Sequence, residues 1–216
     1  MGKKKGKVFV LDGPDGCSKT TQIIELTNNI RENEENAKVV LTREPYDFPD
    51  NTIGMSIRNI LEHREVHPPN AEAFQYLFYL DRVEHWKTVL GPRREEGCYC
   101  LSDRERMVTY AHGVAGGVPL DMMMKWHDGL PIADLYIYMK VTAEKALERI
   151  NKKNTEMGKD PDYFETKDRV QKNVEAFDWI ARTGIIPNLV TVDANRTIEE
   201  IRQSIWNIVF PIIDKL

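Results

Sequence analysis

The stretch Gly13-Pro14-Asp15-Gly16-Cys17-Ser18-Lys19-Thr20-Thr21 joins a short apolar run, Val8-Phe9-Val10-Leu11, to a segment in which Ile23, Leu26 and Ile30 recur at helical spacing. A buried strand, a glycine-bearing turn and a helix in that order read as a phosphate-binding loop. Backbone N–H groups of such a turn converge on anionic oxygens, a lysine reaches the β- and γ-phosphates, and a hydroxyl ligates Mg²⁺. Lys19 and Thr20 take the last two roles, and the helix that follows adds its N-terminal dipole. The pattern G-x-x-x-x-G-K-[ST] is broken once, because Ser18 stands where the second glycine belongs. If that position is left-handed, a serine costs roughly 1–2 kcal/mol there.

A charged turn from Arg31 to Asn36 and a second strand at Lys38 to Thr42 follow, so the order strand, loop, helix, strand predicts a parallel α/β sheet with ligands at the strands' carboxyl ends. The second strand ends in Thr42-Arg43-Glu44-Pro45, which puts an arginine and a carboxylate on the rim that carries the loop; an ordinary surface ion pair would look the same. After a loop over Tyr46 to Thr52, a helical segment with Ile53, Ile57, Ile60 and Leu61 carries Arg58. Asn70 is a cap for a longer helix running to about Leu90. On it Phe74, Leu77 and Phe78 look like core, but Phe78 and Arg82 share one face, where a ring and a guanidinium could stack on a nucleobase and donate to its edge. The run Cys98-Tyr99-Cys100-Leu101-Ser102 reads as another buried strand ending in Asp103-Arg104. A carboxylate there can organise the hydration shell of Mg²⁺, and an arginine can neutralise charge on a transferring phosphoryl group.

Composition sets the limits: 216 residues with 41% apolar content suit one soluble domain with a substantial core, or at most a core and a lid. A net charge of −4 argues against non-specific nucleic-acid binding. Cys17, Cys98 and Cys100 form no disulfide framework or zinc spacing, which suits a reducing compartment. No apolar run approaches the length of a membrane span or signal-peptide core, so the expectation is a cytoplasmic protein without a membrane partner. Residues 1–7 read as a flexible basic tail and 8–216 as a single domain.

The phosphate loop, Thr42-Arg43-Glu44-Pro45, Leu77-Phe78-x-x-Asp81-Arg82 and Asp103-Arg104 occur in the order and approximate spacing of the thymidylate kinase family, which the chain resembles from Val8 to about Ile208. Ala133 to Tyr138 is similar to that family's strand before the lid helix. The resemblance implies a parallel five-stranded sheet flanked by helices with a small lid at about 151–165. It also implies transfer of a phosphoryl group from ATP to dTMP with Mg²⁺, in dTTP biosynthesis, by a homodimer. By the same resemblance Lys19, Asp103 and Arg104 would be catalytic, and Thr20 and Asp103 would serve the metal. Asp15 would hold the sugar 3′-hydroxyl, Phe78 would stack on the base and Arg82 would donate to its carbonyl. Arg43, Glu44, Arg58 and Arg104 would line the acceptor-phosphate site, while Arg149 and the loop of Asn195 would sit beside adenine.

The sequence also departs from the family. A catalytic arginine usually comes from the phosphate loop or the lid, but here Gly16 occupies the first place, and Lys152, Lys153 and Lys159 supply the second. Asp162-Tyr163-Phe164-Glu165 resembles the family's Asp-Arg-Phe-Glu element, with Tyr163 in the arginine's place. After Arg104, Glu105 takes the place of a residue near the sugar and could accept from a ribose 2′-hydroxyl. Val108 and Thr109 take the hydroxyl positions, of which Thr109 keeps one, and Gly113 replaces a polar residue that faces the base. An edge contact must then come from water or a neighbour. Two alternatives stay open: a related nucleoside monophosphate kinase with other or relaxed base preference, and a catalytically weak nucleotide-binding homologue. A GTPase is disfavoured, since Asn151-Lys152-Lys153-Asn154 lacks the aspartate of the guanine motif. Near the end, Thr197 with Glu200 forms a capping box before a core-packing helix.

Overall fold

The computed structural model describes residues 5–46, 48, 51–62, 70–158 and 165–214. Its sheet has five parallel strands in the order β2-β3-β1-β4-β5, formed by β1 (Lys7–Asp12), β2 (Val39–Arg43), β3 (Tyr99–Asp103), β4 (Leu135–Lys140) and β5 (Leu189–Asp193). β1 is central because helices cover both of its faces, and a strand buried on both sides must be apolar throughout; Val8, Phe9, Val10 and Leu11 are all fully buried. Alternation divides them. Phe9 and Leu11 pack with Ile23, Leu26 and Ile30 of α1 (Lys19–Asn33) and Ile201 and Ile205 of α9 (Ile198–Asp214). Val8 and Val10 pack on the opposite face with Met107 and Tyr110 of α5 (Arg106–Ala115) and Phe177 of α8 (Lys167–Thr183). A third cluster joins Ile57 and Leu61 of α2 (Thr52–Glu62) to Phe74 and Phe78 of α3 (Ala71–His85).

Parallel pairing sends every strand's carboxyl end to one rim, so Asp12, Arg43 and Asp103 emerge side by side above β1, β2 and β3. Local capping follows the sequence. Asn70 accepts from Ala73 N–H at 2.9 Å, while Thr197 N–H donates to Glu200 Oε2 at 3.0 Å and Glu200 N–H to Thr197 Oγ1 at 3.3 Å.

Three boundaries differ from expectation. The helix capped by Asn70 does not run evenly to Leu90, because Trp86–Leu90 is a π-helical turn that leads into the short α4 (Gly91–Glu95). The folded domain begins before residue 8: Gly6 N–H donates to the Arg94 carbonyl at 2.7 Å and Lys7 lies in β1, whereas residues 1–4 are outside the described residues. The first part of the expected lid, 151–157, is a regular continuation of α7 (Ala143–Met157), closed by Gly158 at φ 61°. Lys159 and Asp162-Tyr163-Phe164 lie outside the described residues.

Candidate active site

The phosphate loop is held from both ends. Ser18, just before α1, has φ 71° and ψ 25°, the left-handed conformation that the missing glycine would adopt freely. Lys19 folds back over the loop, its Nζ donating to the Gly13 carbonyl at 2.9 Å and the Pro14 carbonyl at 3.0 Å. Gly16, at φ 78°, meets α7 so closely that a Cβ there would lie 2.4 Å from the Ala146 carbonyl oxygen. Burial pushes the Cys17 thiol up, so it stays protonated and is a packing group, not a nucleophile.

At the end of β3, Asp103 Oδ2 accepts from Thr20 Oγ1 at 3.1 Å, and its buried Oδ1 has no hydrogen-bond partner. A hydroxyl beside a carboxylate with a spare oxygen is the donor set of a hydrated Mg²⁺. No group of three or more His, Cys, Asp or Glu side chains gathers among the described residues, which leaves most of such a shell to water and phosphate oxygens. The next residue, Arg104, is left-handed at φ 76°; its guanidinium donates to the Gly13 carbonyl at 3.1 Å and pairs with the Asp15 carboxylate. Burial raises the Asp15 carboxyl, but the charges of Arg104 and Lys19 outweigh it and hold the group at about 2. Asp12 is the reverse case. Burial lifts its carboxyl to about 6 against those same cations, while it accepts from the N–H groups of Gly13, Glu105 and Val108, fastening the loop to α5.

Among the described residues, two cavities open on this rim. The larger, about 720 Å³, lies over the loop and is walled by Lys19, Thr20, Arg149, Lys152 and Lys153. The smaller, about 90 Å³, is walled by Gln75, Phe78, Val108 and His112. Asp15, Glu44, Arg58 and Arg104 line both, so one groove passes from the phosphate loop to the ring of Phe78. Arg149 braces its outer end, donating to the carbonyls of Gly16 at 3.2 Å and Ala194 at 2.8 Å. The adjacent loop is set by Asn195, whose Oδ1 accepts from Thr142 N–H at 2.9 Å.

The family model for thymidylate kinase matches residues 11–205. The chain belongs to the thymidylate kinase family. It is 31% identical to a thymidylate kinase of Cupriavidus taiwanensis over 94% of this chain and 98% of the relative, and 31% identical to that of Cupriavidus pinatubonensis over 95% and 98%. A thymidylate kinase of Synechococcus sp. strain CC9605 is 34% identical over 67% of this chain and 71% of its own.

Within this thymidylate kinase fold, Lys19, Thr20, Asp103, Arg104, Asp15, Arg43, Glu44, Arg58 and Arg149, expected at the donor and phosphate positions, line the groove, whereas Gly13, Pro14, Cys17 and Asn195 do not. Phe78 lines the inner cavity. Arg82 and Thr109 do not reach it. Arg82 is fully buried; its Nη2 donates to Glu44 Oε2 at 2.6 Å and the Glu105 carbonyl at 2.7 Å, and its Nη1 to Thr109 Oγ1 at 3.1 Å and His127 Nε2 at 2.6 Å. His127 therefore accepts on Nε2 and donates from Nδ1 to the Met123 carbonyl at 2.7 Å, and burial together with Arg82 holds the imidazole neutral, near 3.

Glu105 does not stand near a sugar. It is fully buried, with its carboxylate taken by Arg106 Nε at 2.9 Å, Trp86 Nε1 at 3.1 Å and Tyr136 Oη at 2.9 Å, and with Arg82 Nε 3.3 Å away. The left-handed turn at Arg104 sends the next side chain inward, where it caps α5 by accepting from Arg106 N–H at 2.7 Å. Burial opposes its ionisation, but Arg82 and Arg106 hold the carboxyl at about 2.

Sequence reading missed Asp12, Gln75 and His112. Gln75 is three residues before Phe78 and His112 four after Val108, so helical spacing from the residues already chosen was the signal that could have found them. Asp81, also buried, acts at a distance. It accepts from Tyr46 N–H at 2.8 Å and Asn51 Nδ2 at 2.7 Å, pinning the loop that starts α2 and so the helix that carries Arg58.

Proposed function

We propose that this chain transfers the γ-phosphoryl group of ATP to dTMP, giving dTDP and ADP. Beside family membership, the observation that carries the reading is the continuous groove in which a donor cavity and an acceptor cavity meet at Asp15, Glu44, Arg58 and Arg104. ATP occupies the larger cavity against the phosphate loop and Arg149. dTMP lies with its base on Phe78, its 3′-hydroxyl on Asp15 and its phosphate toward Arg43, Arg58 and Arg104. An oxygen of the acceptor phosphate forms the new bond to the γ-phosphorus as the bond to the β,γ-bridging oxygen breaks. That nucleophile is already anionic, so no general base is needed, and the protein's work is positioning and charge neutralisation. Lys19 exchanges its carbonyl partners for phosphate oxygens, Arg104 bears on the transferring group, and Lys152 and Lys153 at the root of the lid add positive charge from α7. Mg²⁺, held through Thr20 and Asp103, would neutralise charge on the β- and γ-phosphates.

All three cysteines are unpaired, which suits a reducing cytoplasmic compartment, and no helix among the described residues is long and apolar enough to cross a membrane. The family reading extends to a homodimer, which light scattering on the purified protein tests. The decisive experiment is ADP release from Mg-ATP with a panel of nucleoside monophosphates. The expected result is turnover highest with dTMP and abolished by EDTA. No release above background ATP hydrolysis with any acceptor would overturn the assignment in favour of a nucleotide-binding homologue.

A further inference from the structure

The wall of the acceptor cavity holds an amide with nothing to bind. Gln75 is only 3% exposed and lines that cavity, yet its carboxamide makes no hydrogen bond to any described residue. The residue is enclosed apart from the cavity it lines, so its carboxamide is left to water or to a ligand that enters there. Its position is fixed. α3 places it one turn before Phe78, whose ring lines the same cavity.

Across from it on α5 is Gly113, where a Cβ would lie 3.3 Å from Gln75 Cγ and 2.2 Å from Met123 Sδ. The absent side chain at 113 is the space that the stem of Gln75 and the thioether of Met123 fill. Of the neighbouring polar groups, Arg82 and Thr109 are bonded to each other and Glu105 to Arg106, Trp86 and Tyr136, while His112 lines the same cavity from α5.

We propose that Gln75 reads the edge of the acceptor base, its N–H donating to a ring carbonyl and its carbonyl accepting from the adjacent N–H. This rests on the reading of the smaller cavity as the acceptor site. A carboxamide presents donor and acceptor side by side and can turn over to exchange them. In one orientation it matches the O4 and N3–H of thymine or uracil, and in the other the N4 amino group and N3 of cytosine. Gln75 therefore binds pyrimidines as a class and separates dTMP from dCMP weakly.

The test compares kcat and KM for dTMP, dUMP and dCMP, and KM for ATP, in the wild type, Gln75→Leu and the near-isosteric Gln75→Glu. Gln75→Leu is expected to lower kcat/KM for dTMP and dUMP alike by about tenfold or more, through KM, with KM for ATP unchanged. Gln75→Glu, an acceptor only, is expected to raise the dCMP to dTMP ratio of kcat/KM by about tenfold or more. Unchanged values in both variants, with the wild type active on dTMP, would overturn the role of Gln75 and leave the kinase assignment standing. If the wild type uses a different monophosphate, the dTMP assignment falls, and the same two variants decide Gln75 on that acceptor. Turnover of no monophosphate would overturn both.

Discussion

Gly16 of the phosphate loop faces Ala146 of α7 so closely that a Cβ on the glycine would stand 2.4 Å from the alanine's carbonyl oxygen. An arginine could enter the loop here only by displacing α7, so in the proposed reading the charge that a loop arginine would add comes from α7 itself, where Lys152 and Lys153 line the groove. Lys153→Ala is expected to lower kcat by about tenfold or more at saturating substrates, and adding Gly16→Arg should fail to restore it. Steady-state kinetics decide this, and an unchanged kcat would remove Lys153 from the transfer.

Lys19→Ala should lower kcat by about two to three orders of magnitude, since a preorganised charge at the transferring group is lost. Lys19 also holds the Gly13 and Pro14 carbonyls, so circular dichroism and a melting curve should accompany the assay. Full turnover in a folded variant would refute the phosphate-loop reading.

Ser18 sits at φ 71° without a side-chain cap bond. Ser18→Gly removes the left-handed penalty and adds entropy to the unfolded chain, for a net stabilisation of about 0.5–1 kcal/mol. Urea unfolding measures it, and ATP affinity should rise alongside. Equal midpoints and affinities would mean that the serine is accommodated without strain.

Four buried groups oppose one another in acid, and burial is the largest cause in each. His112 and His127 are held near 3, below the usual 6.5, so their contribution is present above about 6.5 and is lost as pH falls. Asp12 and Asp81 are lifted from 3.8 to about 6, so theirs is present below 3.8 and is lost as pH rises through 6. Between about pH 4 and 6 the unfolded chain holds two extra histidine protons and the native one two extra carboxyl protons, which cancel. His127→Gln keeps an acceptor for Arg82 but removes one term, so its stability should fall with rising pH by about 1.4 kcal/mol per unit relative to the wild type. Denaturation curves across that interval check the slope, and parallel wild-type and variant profiles would contradict it.

Local signals were the legible ones. The Thr197–Glu200 box, the Asn70 cap and the strand-loop-helix around Lys19 depend on neighbours in the chain, and each stands where the sequence places it. Glu105 was misjudged because the left-handed backbone of Arg104 decides which way it points, and Arg104 carries no sequence mark of that conformation. Arg82 shares a helix face with Phe78, but one turn further on that face is covered by Glu44, Thr109 and His127, which arrive from distant parts of the chain. The π turn at Trp86–Leu90, by contrast, has a local mark: Gly91 and Pro92 follow it directly, and a proline can neither donate to nor lie close against the carbonyl four residues back, here that of Thr88.

dTMP and dUMP present the same hydrogen-bonding edge and differ only in the 5-methyl group, so their discrimination depends on how the wall around Phe78 and Val108 receives that methyl. The expected preference is about 10- to 200-fold in kcat/KM, the range of a single methyl contact. A preference above roughly four orders of magnitude would show that the site rejects dUMP by more than the loss of one methyl contact.

Asp15 and Arg104 form a wall common to both cavities, and they are bonded to each other. A phosphate that draws Arg104 toward one side must loosen its hold on the carboxylate that faces the other. With ATP and dTMP in the two cavities as proposed, they are linked ligands: whatever factor the first applies to the affinity of the second, the second returns to the first.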